Sequence, residues 1–157
     1  AEATLYHGAP FVLCPLPRSA PRAVALLAGL ARAAGGCPLE LDPQRHDRLA
    51  AAISHGPYLA SLAAFAAAND VAAGDELAWR LAASGFRSTT RLAGSDPTMM
   101  ADILLSNCAA VLAQLDCMQA HLAHLAALLI TDDAASLREL AASTRAARSQ
   151  FLEQYDG

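Results

Sequence analysis

Apolar residues recur at three- and four-residue intervals along most of this chain, the rhythm of helices that bury one stripe. Two short stretches depart from it. Pro10 to Cys14 (Pro-Phe-Val-Leu-Cys) is a compact apolar run between prolines, and Cys37 to Leu41 is a second. Both read as strands. Between them, Ala23 to Ala34 carries Val24, Leu26, Leu27 and Leu30 at helical intervals. Ser19 is the expected cap with Pro21 in the first turn, and Gly35-Gly36 the stop. Strand, helix, strand is a βαβ unit, with strands parallel and side by side or one strand apart. Two parallel strands leave edges exposed, so the unit reads as part of a larger α/β domain. No Gly-x-Gly-x-x-Gly occurs in the sequence.

Beyond Leu41 the pattern is helical throughout. Asp42-Pro43 opens a helix expected to reach about Ala68, bent near Gly56-Pro57 because Pro57 has no N–H to donate. Asn69 to Gly74 reads as a turn and Asp75 to Ala83 as a short helix holding Trp79. Ser95-Asp96-Pro97 is a strong helix start. The helix it opens is expected to run unbroken to about Ile130, apolar around much of its circumference. Thr131-Asp132-Asp133 caps a last, more charged helix from Ala134 to about Tyr155.

Composition narrows the function. Hydrophobic residues make up 55% of 157, but much of this is alanine, which favours close helix packing over large area burial. Every basic residue is arginine, and the net charge of −4 excludes the broad basic face of a nucleic-acid binder. Any anion site must therefore be local. Cys14, Cys37, Cys108 and Cys117 lack Cys-x-x-Cys spacing and read as reduced thiols of a cytoplasmic protein. The uncharged run Leu49 to Asn69 is long enough for a bilayer. Its Ser54, His55, Gly56 and Pro57 mark it instead as a buried, broken helix, with no membrane anchor expected. His121 and His124 share a helix face without further ligands, so no metal is expected.

Two polar clusters interrupt the alanine and leucine. Gly85 to Pro97 holds two glycines, four hydroxyls, two arginines and one acid. Arg87 and Arg91 are four apart, on one face of a helical turn, and can grip a carboxylate or phosphate together. The competing reading is a solvated loop. His46 to Pro57 places Ser54 and His55 at the proline, where backbone groups are freed for a ligand. His55 is either a core histidine satisfied by a backbone carbonyl or a ligand-binding group. Asp47, in the first turn, suits the helix dipole.

In order, His-Asp-x-x-x-Ala-x-x-Ser-His-x-Pro (His46 to Pro57), then Gly-Phe-x-x-x-Thr-Arg-x-Ala-x-Ser-Asp-Pro (Gly85 to Pro97), then Asn107, the sequence resembles prephenate dehydrogenase from about Gly8 to Arg148. The resemblance implies a mainly α chain: residues 1–41 as the βαβ remnant of a Rossmann-type nucleotide-binding domain, residues 42–157 as an all-helical dimerisation and substrate-binding domain. It implies oxidative decarboxylation of prephenate, or arogenate in some members, with NAD or NADP in the full-length enzyme. It makes Arg91 the arginine that binds a substrate carboxylate. Ser54 and His55 become the pocket pair, and Arg87, where the family often has lysine, a second positive charge. The catalytic histidine of the family would precede residue 1, so the chain alone is expected to bind no nucleotide and turn over nothing. Gly56 and Tyr58 stand where many members have leucine and histidine, and Met100 where many have tryptophan.

Two other readings compete. A helical oligomerisation or regulatory module without a catalytic role is favoured by Tyr58 and Met100. A 6-phosphogluconate or 3-hydroxy-acid type of dehydrogenase is disfavoured because the chain has no lysine to act as base. The amount of apolar surface on the 97–130 stretch implies a homodimer.

Overall fold

A computed structural model describes residues 4–75 and 77–155. Strand β1 (Pro10–Leu13), helix α1 (Pro21–Ala33) and strand β2 (Cys37–Glu40) form the expected βαβ unit. The strands are parallel and adjacent, with Pro10 opposite Cys37 and Leu13 opposite Glu40. Helix α1 buries Ala28 and Ala31, while Leu26 and Leu30 are more than half exposed. The small side chains bring the helix close to the sheet, and its larger ones remain uncovered. Gly35, at φ +85°, turns the chain out of α1 in a conformation that favours glycine. Ser19 does not cap α1. Ala20 holds the cap position, and Ser19 Oγ accepts from the Leu16 N–H at 3.0 Å, closing the preceding turn instead.

The first long helix is continuous from Pro43 to Ala72. It comprises α2 (Pro43–Ala50), a π-helical turn (Ala51–His55) and α3 (Gly56–Ala72). Asp42 caps it as expected, its carboxylate accepting from Arg45 N–H at 2.9 Å. The expected break at Pro57 is absent for a local reason. The Gly56 N–H reaches back to the Ala51 carbonyl, a wider turn that takes up proline's missing hydrogen bond without ending the helix. The helix is long and apolar enough to cross a membrane, and 28% of its most apolar window is buried, less than the buried helix expected. It also runs past Asn69, so the turn falls at Ala73-Gly74.

Helix α4 (Ala78–Leu81) is shorter than the expected 75–83 helix, and Glu76 in that range lies outside the described residues. Trp79 stacks on Phe65 of α3 with ring centroids 5.6 Å apart, and Phe86 packs against both. Helix α5 (Ser84–Thr89) and a 3₁₀ turn (Arg91–Gly94) lead to α6 (Pro97–Ser106), capped by Asp96 accepting from Met99 N–H at 2.7 Å. The expected single helix to Ile130 is two. Between α6 and α7 (Cys108–Ile130) the axis turns by 95° at Asn107. Helix α8 (Ala134–Tyr155) follows a turn in which Asp132 has φ +50° and Asp133 accepts from Ser136 N–H at 3.0 Å.

By compactness the chain divides within α7, between Gln114 and Leu115. In the second unit the remainder of α7 and α8 share an apolar groove lined by Leu125, Leu137 and Leu140.

Candidate functional site

The π turn, the start of α3 and the 3₁₀ turn enclose a cavity of about 300 Å³. Ser54 and Arg91 both line it, with Ile53, Tyr58, Leu92 and Met100 among the other walls. Widening the helix by one residue at Ala51–His55 shifts the register of the side chains that follow, and Ser54 lies on the cavity wall. Met100 and Tyr58 are buried, whereas Arg91 is exposed.

What holds Arg91 there is a residue that the sequence pattern did not single out. Ser61, one turn beyond Pro57 on α3, is 1% exposed, and its Oγ accepts from the Ala93 N–H at 2.9 Å. That bond pins the 3₁₀ turn to α3 and so fixes the residue that opens it. The only signal was a lone serine in an alanine-rich run, which helical periodicity does not flag. The upstream end of the segment is closed by Thr90, whose Oγ1 donates to the Phe86 carbonyl at 2.8 Å, ending α5.

The two arginines do not share one helical turn. Helix α5 stops at Thr89 and the 3₁₀ turn starts at Arg91, so Arg87 and Arg91 belong to different elements. Arg87 is exposed and is not among the described residues that line the cavity. His55 is not among them either. It is 8% exposed, and its Nδ1 lies 3.3 Å from Asn107 Nδ2. The expected carbonyl partner of His55 is thus replaced by a side-chain amide. Asn107 Nδ2 also donates to the Asp47 carbonyl at 2.9 Å, linking the corner between α6 and α7 to the end of α2. Asp47 turns its carboxylate to His46, Oδ1 to Nδ1 at 3.0 Å, on the exposed side.

Tyr58 is one of the residues that line the cavity. Its hydroxyl has no hydrogen-bond partner among the described residues, yet no buried side-chain oxygen there is both sealed from solvent and unpartnered. The oxygen therefore faces accessible space. The recess thus combines a full positive charge, three hydroxyl-bearing residues (Ser54, Tyr58 and Ser95) and apolar walls. Such a set suits a small organic anion with an apolar ring. No cluster of three or more metal-binding side chains occurs among the described residues. The β1–α1 connection, from Cys14 to Ala20, contains prolines and no glycine, and Ser19 is spent on its own turn.

Comparison with known proteins was made on sequence and on fold. Residues 42–143 match the family model described as "Prephenate dehydrogenase, dimerization domain". A prephenate dehydrogenase from Bacillus subtilis (strain 168) is 33% identical over 107 residues, 68% of this chain and 29% of that protein. The crystal structure of Synechocystis arogenate dehydrogenase is 31% identical with a TM-score of 0.85, covering 94% of this chain and 54% of that one. The prephenate dehydrogenase from A. aeolicus, solved in complex with hydroxyphenyl propionate and NAD+, is 25% identical with a TM-score of 0.83, covering 94% and 52%. The chain therefore matches between 29% and 54% of the length of these relatives.

Proposed function

The chain belongs to the prephenate dehydrogenase family, and on that premise we propose that it supplies the dimer interface and part of the substrate pocket of a prephenate dehydrogenase. The activity would be oxidative decarboxylation of prephenate to 4-hydroxyphenylpyruvate with NAD or NADP. The observation that carries the reading is the cavity that Arg91 shares with Ser54, two residues from motifs far apart in the chain. Prephenate is a dianion built on a ring. Arg91 would bind one of its carboxylates while Ile53, Leu92 and Met100 pack the ring. Ser54 and Tyr58 would accept or donate to its oxygens. His55 joins the pocket in this reading through its free ring nitrogen, and Arg87 contributes long-range positive charge.

Residues 1–41 are assigned to the nucleotide-binding domain. The apolar groups left uncovered on α1 and on the sheet, Leu26, Leu30 and Leu39 among them, support a further layer there. The redox chemistry would be supplied by the bound nicotinamide. The chain on its own is expected to turn over nothing. We assign it to the cytoplasm, in keeping with four free cysteines, and to no membrane or nucleic acid.

A homodimer is supported by the family model's description and by Leu105, Leu122, Leu129 and Ile130, each well over half exposed. Sedimentation at micromolar concentration should give twice the monomer mass, and a monomer would reject this part. Arogenate is the alternative substrate, favoured by the likeness to the Synechocystis structure. The test of the whole reading is NAD(P) reduction with prephenate or arogenate by this chain joined to a complete nucleotide-binding domain. Turnover with neither substrate would reject it.

A further inference from the structure

We infer that Asn107 is a positioning residue, which fixes the tautomer of His55 and holds its Nε2–H out as a hydrogen-bond donor. The inference starts from the Asp47 carbonyl. A carbonyl oxygen only accepts, so the Asn107 atom 2.9 Å from it must be the amide nitrogen and not the amide oxygen. That contact settles which way round the amide stands, a choice otherwise open for asparagine. The same nitrogen lies 3.3 Å from His55 Nδ1. An amide nitrogen carries two hydrogens and no free lone pair, so one hydrogen serves Asp47 and the other His55. Nδ1 is then the acceptor, and in the neutral ring the proton sits on Nε2.

Nε2 has no partner among the described residues. His55 is buried, yet no nitrogen of a buried side chain is both sealed and unpartnered, so Nε2 opens onto accessible space. A buried ring thus keeps one donor unused and available. Its location adds meaning, because His55 follows Ser54 on the π turn whose Ser54 lines the Arg91 cavity. The corner at Asn107, where the axis turns by 95°, brings the amide back to that turn. The break in the helix and the fixing of the histidine are one arrangement. His55 does not itself line that cavity, and the acceptor we assign to Nε2–H is an oxygen of an anion large enough to reach beyond it. This second step rests on the pocket reading above, and the tautomer does not.

Two measurements separate the steps. Long-range nitrogen–proton NMR spectra of the labelled 157-residue chain resolve the tautomer of each of the five histidines, with His55 identified by its loss in His55→Gln. The wild type should show His55 protonated on Nε2 only, and Asn107→Ala should give a mixture. Protonation on Nδ1, or an even mixture in the wild type, overturns the inference whatever Asn107→Ala shows. The second measurement is steady-state kinetics in the chain joined to a complete nucleotide-binding domain. The amide nitrogen of Gln reaches the place of Nε2 and that of Asn the place of Nδ1. His55→Asn should therefore raise KM roughly tenfold more than His55→Gln. Equal losses overturn the donor role. An unchanged KM in Arg91→Ala would instead reject the pocket and leave the tautomer result standing.

Discussion

Ser61→Ala is the substitution that best separates holding the site from forming it. Ser61 is 1% exposed, and its single described bond accepts the Ala93 N–H at 2.9 Å. A buried donor left wholly without a partner costs about 1–3 kcal/mol. Ala93 N–H keeps a second acceptor, the Thr90 carbonyl at 3.1 Å, so the full penalty does not apply. The net loss should be that of an ordinary hydrogen bond, about 0.5–1.5 kcal/mol. For a chain of this size about 1 kcal/mol lowers the melting midpoint by roughly 2–4 °C. The same change frees the 3₁₀ turn from α3, so Arg91 should bind its carboxylate less well. Ser54→Ala is the control. Ser54 is exposed and has no described hydrogen bond, so its stability effect should stay within about 0.5 kcal/mol. Thermal unfolding and substrate KM, measured on both variants, test the pair. If Ser61→Ala melts with the wild type and binds substrate equally well, the clamp on the 3₁₀ turn is not what positions Arg91.

Other outcomes follow from single contacts. Asp96→Ala removes the cap that accepts Met99 N–H at 2.7 Å and should cost about 0.5–2 kcal/mol, read by urea unfolding. Tyr58→Phe removes the hydroxyl of a cavity-lining residue without emptying its wall. It should raise KM by roughly 2- to 12-fold, for about 0.5–1.5 kcal/mol of lost hydrogen bonding, with little change in stability. The Asp133 carboxylate is held below its ordinary value of 3.8, chiefly by the Ser136 backbone N–H. Its lowered folded value means it stabilises α8 fully above the ordinary value. That support is lost as pH falls through the lowered one, and Asp133→Asn should remove this acid-side dependence in pH-resolved unfolding.

Local chemistry was legible wherever one residue decides. Asp42 and Asp96 cap their helices, each followed by proline at the first helical position, because a carboxylate can satisfy an N–H three residues on. The βαβ unit was legible from two apolar runs flanking a helical one. Where the outcome depends on a partner far along the chain, the pattern was silent. Apolar residues continue through Ile103, Leu104 and Leu105 to Val111, so nothing local marks the corner at Asn107. Its described anchor is the carbonyl of Asp47, in another helix. Pro57 was expected to break the helix, and a π turn directly before it carries the helix through. Pairing Arg87 with Arg91 assumed one continuous turn, and Thr90 ends α5 between them. Arg91 and Ser54 were each singled out from their own motif. Their common cavity depends on Ser61, whose role appears only once α3 and the 3₁₀ turn are packed together.

The most direct test is calorimetric titration with a hydroxyphenyl carboxylate such as hydroxyphenyl propionate. It compares wild type, Arg91→Ala and Arg91→Lys in the chain joined to a complete nucleotide-binding domain. A charge-assisted contact at position 91 is worth about 1.5–3 kcal/mol, so Arg91→Ala should bind roughly 10- to 150-fold more weakly. Lysine should recover part of that, since it restores the charge without the paired geometry. Equal affinity in all three proteins would contradict the claim that this guanidinium neutralises the substrate.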